Sequence, residues 1–111
     1  MSIAMTKVWQ PLTLGGIAPV AGHMGVYQLA DAQGTQRYIG FAGARSLHGM
    51  RGELQRWLDA PGANTHYRIE ITTAYTTRWL ELLMVHVARH GRLPPENPET
   101  DARRLGRLSP L

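Results

Sequence analysis

The sequence predicts an α+β domain: a small three-stranded antiparallel sheet flanked by helices, in the order β-β-α-β-α. Three observations predict it. Two runs of β-forming residues flank Asp31-Ala32-Gln33-Gly34, which is turn chemistry between strands. A third run, His66 to Thr73, alternates Tyr67, Ile69 and Ile71 with His66, Arg68 and Glu70, the period of a half-buried strand. The stretches after the second and third strands carry apolar residues at helical spacing.

Taken in order, residues 1–22 read as an extended arm that packs over the core. Pro11, Gly15, Gly16, Pro19 and Gly22 argue against a helix there, while Trp9, Leu12, Leu14, Ile17 and Val20 are apolar. A hairpin spans 24–42. If its loop holds an even number of residues, Tyr27 falls directly opposite Tyr38 and both phenols project from one face; a three-residue loop would separate them. Ser46 is the expected N-cap of a helix running to Asp59, with Leu47, Met50, Leu54, Trp57 and Leu58 on one face. Ala60-Pro61-Gly62 ends it. Thr76 or Thr77 caps a second helix that runs to His90 and stops at Gly91. The organisation that follows is an arm (1–22), a domain (23–97) and a loosely held tail (98–111).

At 111 residues, 43% hydrophobic and 18% charged, the chain fits one soluble globular domain. The absence of cysteine excludes disulfides and thiolate zinc sites. The first ten residues lack the apolar core of a signal peptide, and no apolar run is long enough to span a bilayer, so a cytoplasmic protein without a membrane partner is expected. The net charge is +4 and 11 of the 12 basic residues are arginine, the better bidentate partner of phosphate. That balance permits a polyanionic partner without requiring one.

Gly25-Val26-Tyr27, ten residues, then Tyr38-Ile39-Gly40 resembles the GIY-YIG nuclease domain, a family named for this pair of tripeptides. The resemblance covers residues 24–97 and implies a β-β-α-β-α core that hydrolyses phosphodiester bonds, an endonuclease acting on nucleic acid, with DNA ranked ahead of RNA. It implies roles for four side chains. Tyr27 activates the attacking water, Tyr38 orients Tyr27 or the phosphate, Arg51 stabilises the developing charge, and Glu81 anchors a single Mg²⁺ or Mn²⁺. Gly40, Arg45, His48 and Asn97 fall on the substrate side of such a site. Arg45 is the alternative to Arg51, because the family's arginine commonly follows the motif more closely and here that position is His48. Gln55 stands where some members have histidine, and Phe41 where many have lysine or glutamine. These departures leave a second reading: an inactive module of the same fold that binds nucleic acid or a protein partner. A third is an unrelated α+β interaction domain whose tyrosines are only core.

Glu81 also has two readings. It is a carboxylate in an almost wholly apolar turn, which suits a metal ligand, and it lies three residues after Arg78, which suits an ion pair. His86 and His90 are spaced to share a metal, but no third ligand is evident, and a solvated helix end accounts for them. Tyr67, Tyr75, Trp57 and Trp79 read as structural.

Overall fold

The computed structural model describes residues 3–108. Four strands and four helices follow one another along it: β1 (Gln10–Pro11), α1 (Leu14–Ile17), β2 (Gly25–Asp31), β3 (Gln36–Ala42), α2 (Gly49–Asp59), β4 (Asn64–Ile71), α3 (Tyr75–His90) and α4 (Glu99–Leu108), with α1 a single turn, capped by Thr13, in the arm where no helix was expected. The strands form one antiparallel sheet in the order β1-β4-β2-β3. The expected count of three strands is therefore corrected to four. The extra strand is two residues of the arm, Gln10 and Pro11, paired with Tyr67 and His66. So short an edge strand carries no readable alternation, and Pro11 is tolerated there because an edge needs no second donor row.

Side-chain alternation gives the sheet two buried faces, each with its own core. Tyr27, Leu29, Ala42 and Tyr67 face α2 and pack on Met50 and Leu54, with Leu12, Ile17 and Val20 of the arm alongside. Val26 and Ile39 point the other way, onto Trp79, Leu82 and Leu83 of α3 and Met5 of the arm. The arm thus lies against both sides of the sheet.

The hairpin register differs from the expected one. Tyr27 pairs with Gly40, and Tyr38 pairs with Leu29. The Asp31 N–H donates to the Thr35 carbonyl at 3.0 Å, so the turn closes on three residues, with Gly34 left-handed at φ 83°. That odd loop alone would put the two phenols on opposite faces. A bulge between Leu29 and Ala30, with Arg37 as the extra residue on β3, restores the parity. The two tyrosines share a face as diagonal neighbours, with ring centroids 5.9 Å apart.

Two helix starts also move, and α3 begins at Tyr75 with Ala74 at its N-cap, ahead of the expected caps Thr76 and Thr77. α2 begins at Gly49, not after Ser46. The Ser46 hydroxyl accepts from the Gly43 N–H at 2.9 Å, which commits it to the preceding turn, and His48 takes a left-handed conformation (φ 60°) before the helix starts. The tail holds a helix as well. α4 starts after Pro98 with Glu99 and Asp101 in its first turn, as the helix dipole favours, and Leu105 packs on the α3-face core. Leu105 by itself is too little periodicity to mark a helix from sequence. Residues 109–111 lie outside the described residues.

Candidate functional site

The phenol pair sits where β2 and β3 meet under α2. Gly40 makes this possible: a Cβ there would lie 2.6 Å from Tyr38 Cε2 and 2.7 Å from Tyr27 Cζ, so only glycine leaves room for both rings. Trp57 of α2 closes the stack, its ring 4.8 Å from that of Tyr38.

Tyr27 is fully buried. Its hydroxyl donates to Glu53 Oε1 at 2.9 Å and accepts from Trp57 Nε1 at 3.0 Å. Glu53 Oε1 takes a second bond, 2.8 Å from the Arg56 guanidinium, forming an i,i+3 ion pair. Burial pushes the Tyr27 phenol well above the ordinary tyrosine pKa, and the nearby Tyr38 and Glu53 push it further. Tyr38 is shifted up too, first by burial and then by Asp101 and Glu53. Both phenols are therefore held protonated at neutral pH, as hydrogen-bonding alcohols and not as bases.

A groove of about 660 Å³ runs along the outer side of α2 with Glu53 in its wall. Arg45, His48, Arg51 and Arg56 line it, together with Asp59. Arg51 is held by the arm: its Nη1 donates to the carbonyls of Ala18 (2.9 Å) and Val20 (3.3 Å), so it ties α2 to the arm and makes no hydrogen bond to the phenols. Arg45 and His48 are exposed.

The other predicted residues lie elsewhere. Asn97 is buried against the outer edge of β3. Its Oδ1 accepts from the Ile39 N–H and its Nδ2 donates to the Ile39 carbonyl, both at 2.9 Å, and to Asp101 at 3.0 Å. It caps an edge strand and anchors the start of α4, with its bonding capacity spent on the protein itself.

Glu81 is on the opposite face of the sheet from Tyr27. Arg78 donates to Glu81 at 2.7 Å, and also to both oxygens of Glu70 at 2.6 and 3.1 Å. Glu70 pairs with Val26 across β2 and β4, so it shares the α3 face with Val26, while Tyr27 points to the α2 face. The ion-pair reading of Glu81 is the one seen. The residues as placed do not fit one cation shared between Glu81 and Tyr27; the carboxylate beside the phenols is Glu53. Among the described residues, no group of three or more His, Asp or Glu converges as a metal site.

Glu53, Arg56 and the indole of Trp57 are what the sequence reading missed. A signal for Glu53 was present. It lies three residues after Met50 and four before Trp57, a carboxylate inside an apolar stripe, the same cue that singled out Glu81.

A family model for a domain of unknown function, DUF7508, matches residues 1–89, from the arm through nearly all of α3. The chain belongs to that family. No curated protein matches the chain. The DUF7508 match takes in the phenol pair, the groove and Glu81, and leaves Asn97 and α4 outside it. No described helix is long and apolar enough to cross a membrane.

Proposed function

We propose that this DUF7508 chain is a GIY-YIG-like module that binds nucleic acid through its phosphates, with the arginine groove on α2 as the contact surface. The observation that carries the reading is the sealing of Tyr27. Its hydroxyl is buried, has both a donor and an acceptor partner, and is driven toward its neutral form. A phenol so placed braces α2 and has no path to a water or a phosphate. The exposed side of the same helix, by contrast, carries arginines, and Arg45 has no carboxylate partner among the described residues. Guanidinium groups pair bidentately with phosphate oxygens, and such contacts hold a protein on a nucleic-acid backbone.

The second reading is a metal-dependent endonuclease using Tyr27, Tyr38 and Arg51 with Mg²⁺ or Mn²⁺, in which Glu81 as placed takes no part. What favours it is the pair of tripeptides, with both phenols on one face above Gly40. It needs α2 to lift from Tyr27 and a carboxylate other than Glu81 at the phenols. DNA is the preferred substrate or ligand on either reading, with RNA as the comparison.

Fluorescence anisotropy against duplex DNA, single-stranded DNA and RNA tests the binding reading. With three arginines engaged, the log-log salt slope on duplex is about −3, and Arg45→Gln lowers its magnitude by about 1. Binding that ignores salt, or survives both Arg45→Gln and Arg56→Gln unchanged, sinks the groove. Mg²⁺-dependent cleavage lost on Tyr27→Phe would replace the binding module with the enzyme.

A further inference from the structure

The far end of the α3 face holds basic side chains that the proposed function does not use. A cleft of about 440 Å³ lies between the β2–β3 turn, the C-terminal end of α3 and residues 92–95. Arg68, His86, His90 and Arg92 line it beside Trp9. A recess of about 40 Å³ shares Arg68, His86 and His90 and reaches Gln28 and Arg89. No carboxylate lines either space.

Arg68 is central. It stands mid-strand on β4, half-buried, and burial lowers its pKa. Its Nε donates to Gln28 Oε1 at 2.6 Å, its Nη1 reaches the Lys7 carbonyl at 3.3 Å, and its guanidinium lies 4.3 Å from the Trp9 ring centre. All three partners are neutral. Arg37, Arg56 and Arg78 each pair with a carboxylate, whereas none of the ion pairs among the described residues includes Arg68. Its Nη2 makes no hydrogen bond among those residues. A desolvated guanidinium with an unused donor edge and no counter-ion is a receptor for an external anion.

Two neighbours point the same way. Gln28 is only 3% exposed and gives its oxygen to Arg68, leaving its NH₂ donors without a partner among the described residues, at the wall of the recess. His86 Nδ1 lies 2.9 Å from the Arg92 carbonyl, so that nitrogen carries the proton and Nε2 is left for the cleft. The α3 dipole accounts for Arg89 and His90 in the last turn. It does not account for Arg68 on a strand or for the Gln28 amide, whose NH₂ has no partner among the described residues. Five basic groups without a carboxylate also repel a divalent cation, although His86 and His90 stack with centroids 4.4 Å apart.

We propose that this cleft binds a phosphate monoester, with Arg68 Nη2 and the Gln28 amide holding the phosphoryl oxygens at the inner end and His86, His90 and Arg92 around the mouth. The phosphoryl group fills only part of the volume, and the remainder takes the group that carries it. A free nucleoside monophosphate and the 5′-phosphate end of a nucleic-acid strand share this chemistry. The site lies on the opposite face of the sheet from the α2 groove and stands or falls separately from it.

Titration calorimetry on the full chain tests this with inorganic phosphate, adenosine 5′-monophosphate, adenosine, and one oligonucleotide with and without a 5′-phosphate. The monophosphate binds and adenosine does not; Arg68→Gln weakens binding by about tenfold or more, the loss of a charge-assisted contact. Because Arg68 also packs in the sheet, the exposed His90→Gln and Arg92→Gln variants are run in parallel and weaken it severalfold. The His86 titration, followed by NMR, moves up on binding, while Arg45→Gln and Arg56→Gln leave the affinity for adenosine 5′-monophosphate unchanged. Preference for the 5′-phosphorylated strand over its 5′-hydroxyl form identifies a strand end as the ligand; binding of the mononucleotide alone identifies a free nucleotide. The proposal is overturned if neither phosphate nor any phosphomonoester binds at millimolar concentration, if adenosine binds as well as its monophosphate, or if Arg68→Gln, His90→Gln and Arg92→Gln all bind like the parent chain.

Discussion

The two faces of the sheet treat charge in opposite ways. Under α2, one carboxylate, Glu53, serves a phenol and one arginine, and the buried polar groups around it are neutral alcohol and indole. Under α3, one arginine, Arg78, serves two carboxylates, and at the far end of that face Arg68 has none. Of these residues β2 gives Tyr27 to the α2 face and β4 gives Arg68 and Glu70 to the α3 face; the others come from the helices. What separates the faces is the ratio of carboxylate to cation at each location. Where a cation meets a carboxylate the charges bind the fold together, and where it meets none it is left for a partner.

Breaking the α3 side at Arg78 should have the largest effect. Arg78→Leu leaves Glu70 and Glu81 without a cation. Those side chains keep 25% and 34% of their exposure, so the loss falls below that of a fully buried pair. We expect about 2–3 kcal/mol by urea unfolding. A loss under about 1 kcal/mol would place the pair with ordinary surface ion pairs.

On the α2 side, Gly40→Ala should cost about 2 kcal/mol by overpacking the buried Tyr27 ring and the half-buried Tyr38 ring, whereas Gly15→Ala, which meets nothing within 4 Å, should be close to neutral. Equal melting temperatures for the two variants would mean that the phenols do not pack over Gly40. Tyr27→Phe comes next, at about 1–2 kcal/mol, because the Trp57 N–H and Glu53 each lose a partner. A much larger effect on nucleic-acid cleavage than on stability would shift Tyr27 from brace to catalyst.

Glu81→Gln sharpens the contrast from the other direction. Arg78 keeps both bonds to Glu70, so the expected loss is about 0.5–1 kcal/mol with unchanged nucleic-acid binding. Abolished metal-dependent cleavage in this variant would restore Glu81 as a metal ligand.

The smallest effect concerns pH. Burial lowers the His86 pKa, the hydrogen bond to the Arg92 carbonyl offsets part of that, and the charges of His90 and Arg92 lower it further. Arg68, Arg89, Arg92 and His90 face it, and no carboxylate lines the same cleft. The unfolded chain therefore binds the His86 proton more readily than the folded one. The stability present above the unfolded value of about 6.5 is lost as pH falls toward the lower folded value. Melting curves of the parent chain and His86→Gln should converge in that range, and saturating phosphomonoester should reduce the loss.

The sequence by itself determined the elements whose information is local. The alternation in β4 was readable, as were the apolar stripe of α2 and the end of α3 at Gly91, because periodicity and a left-handed stop are written within a few residues of where they act. The tertiary structure decided every partnership. Tyr27 and Tyr38 share a face only because a three-residue turn is offset by a bulge at Arg37, two irregularities that cancel and that no turn preference announces. Glu53 and Glu81 are both carboxylates on apolar helix stripes, alike in sequence. One meets a phenol and the other an arginine because α2 and α3 dock on opposite faces. A helix carries its pattern in its own residues, but the residue that answers it belongs to whichever segment packs against it.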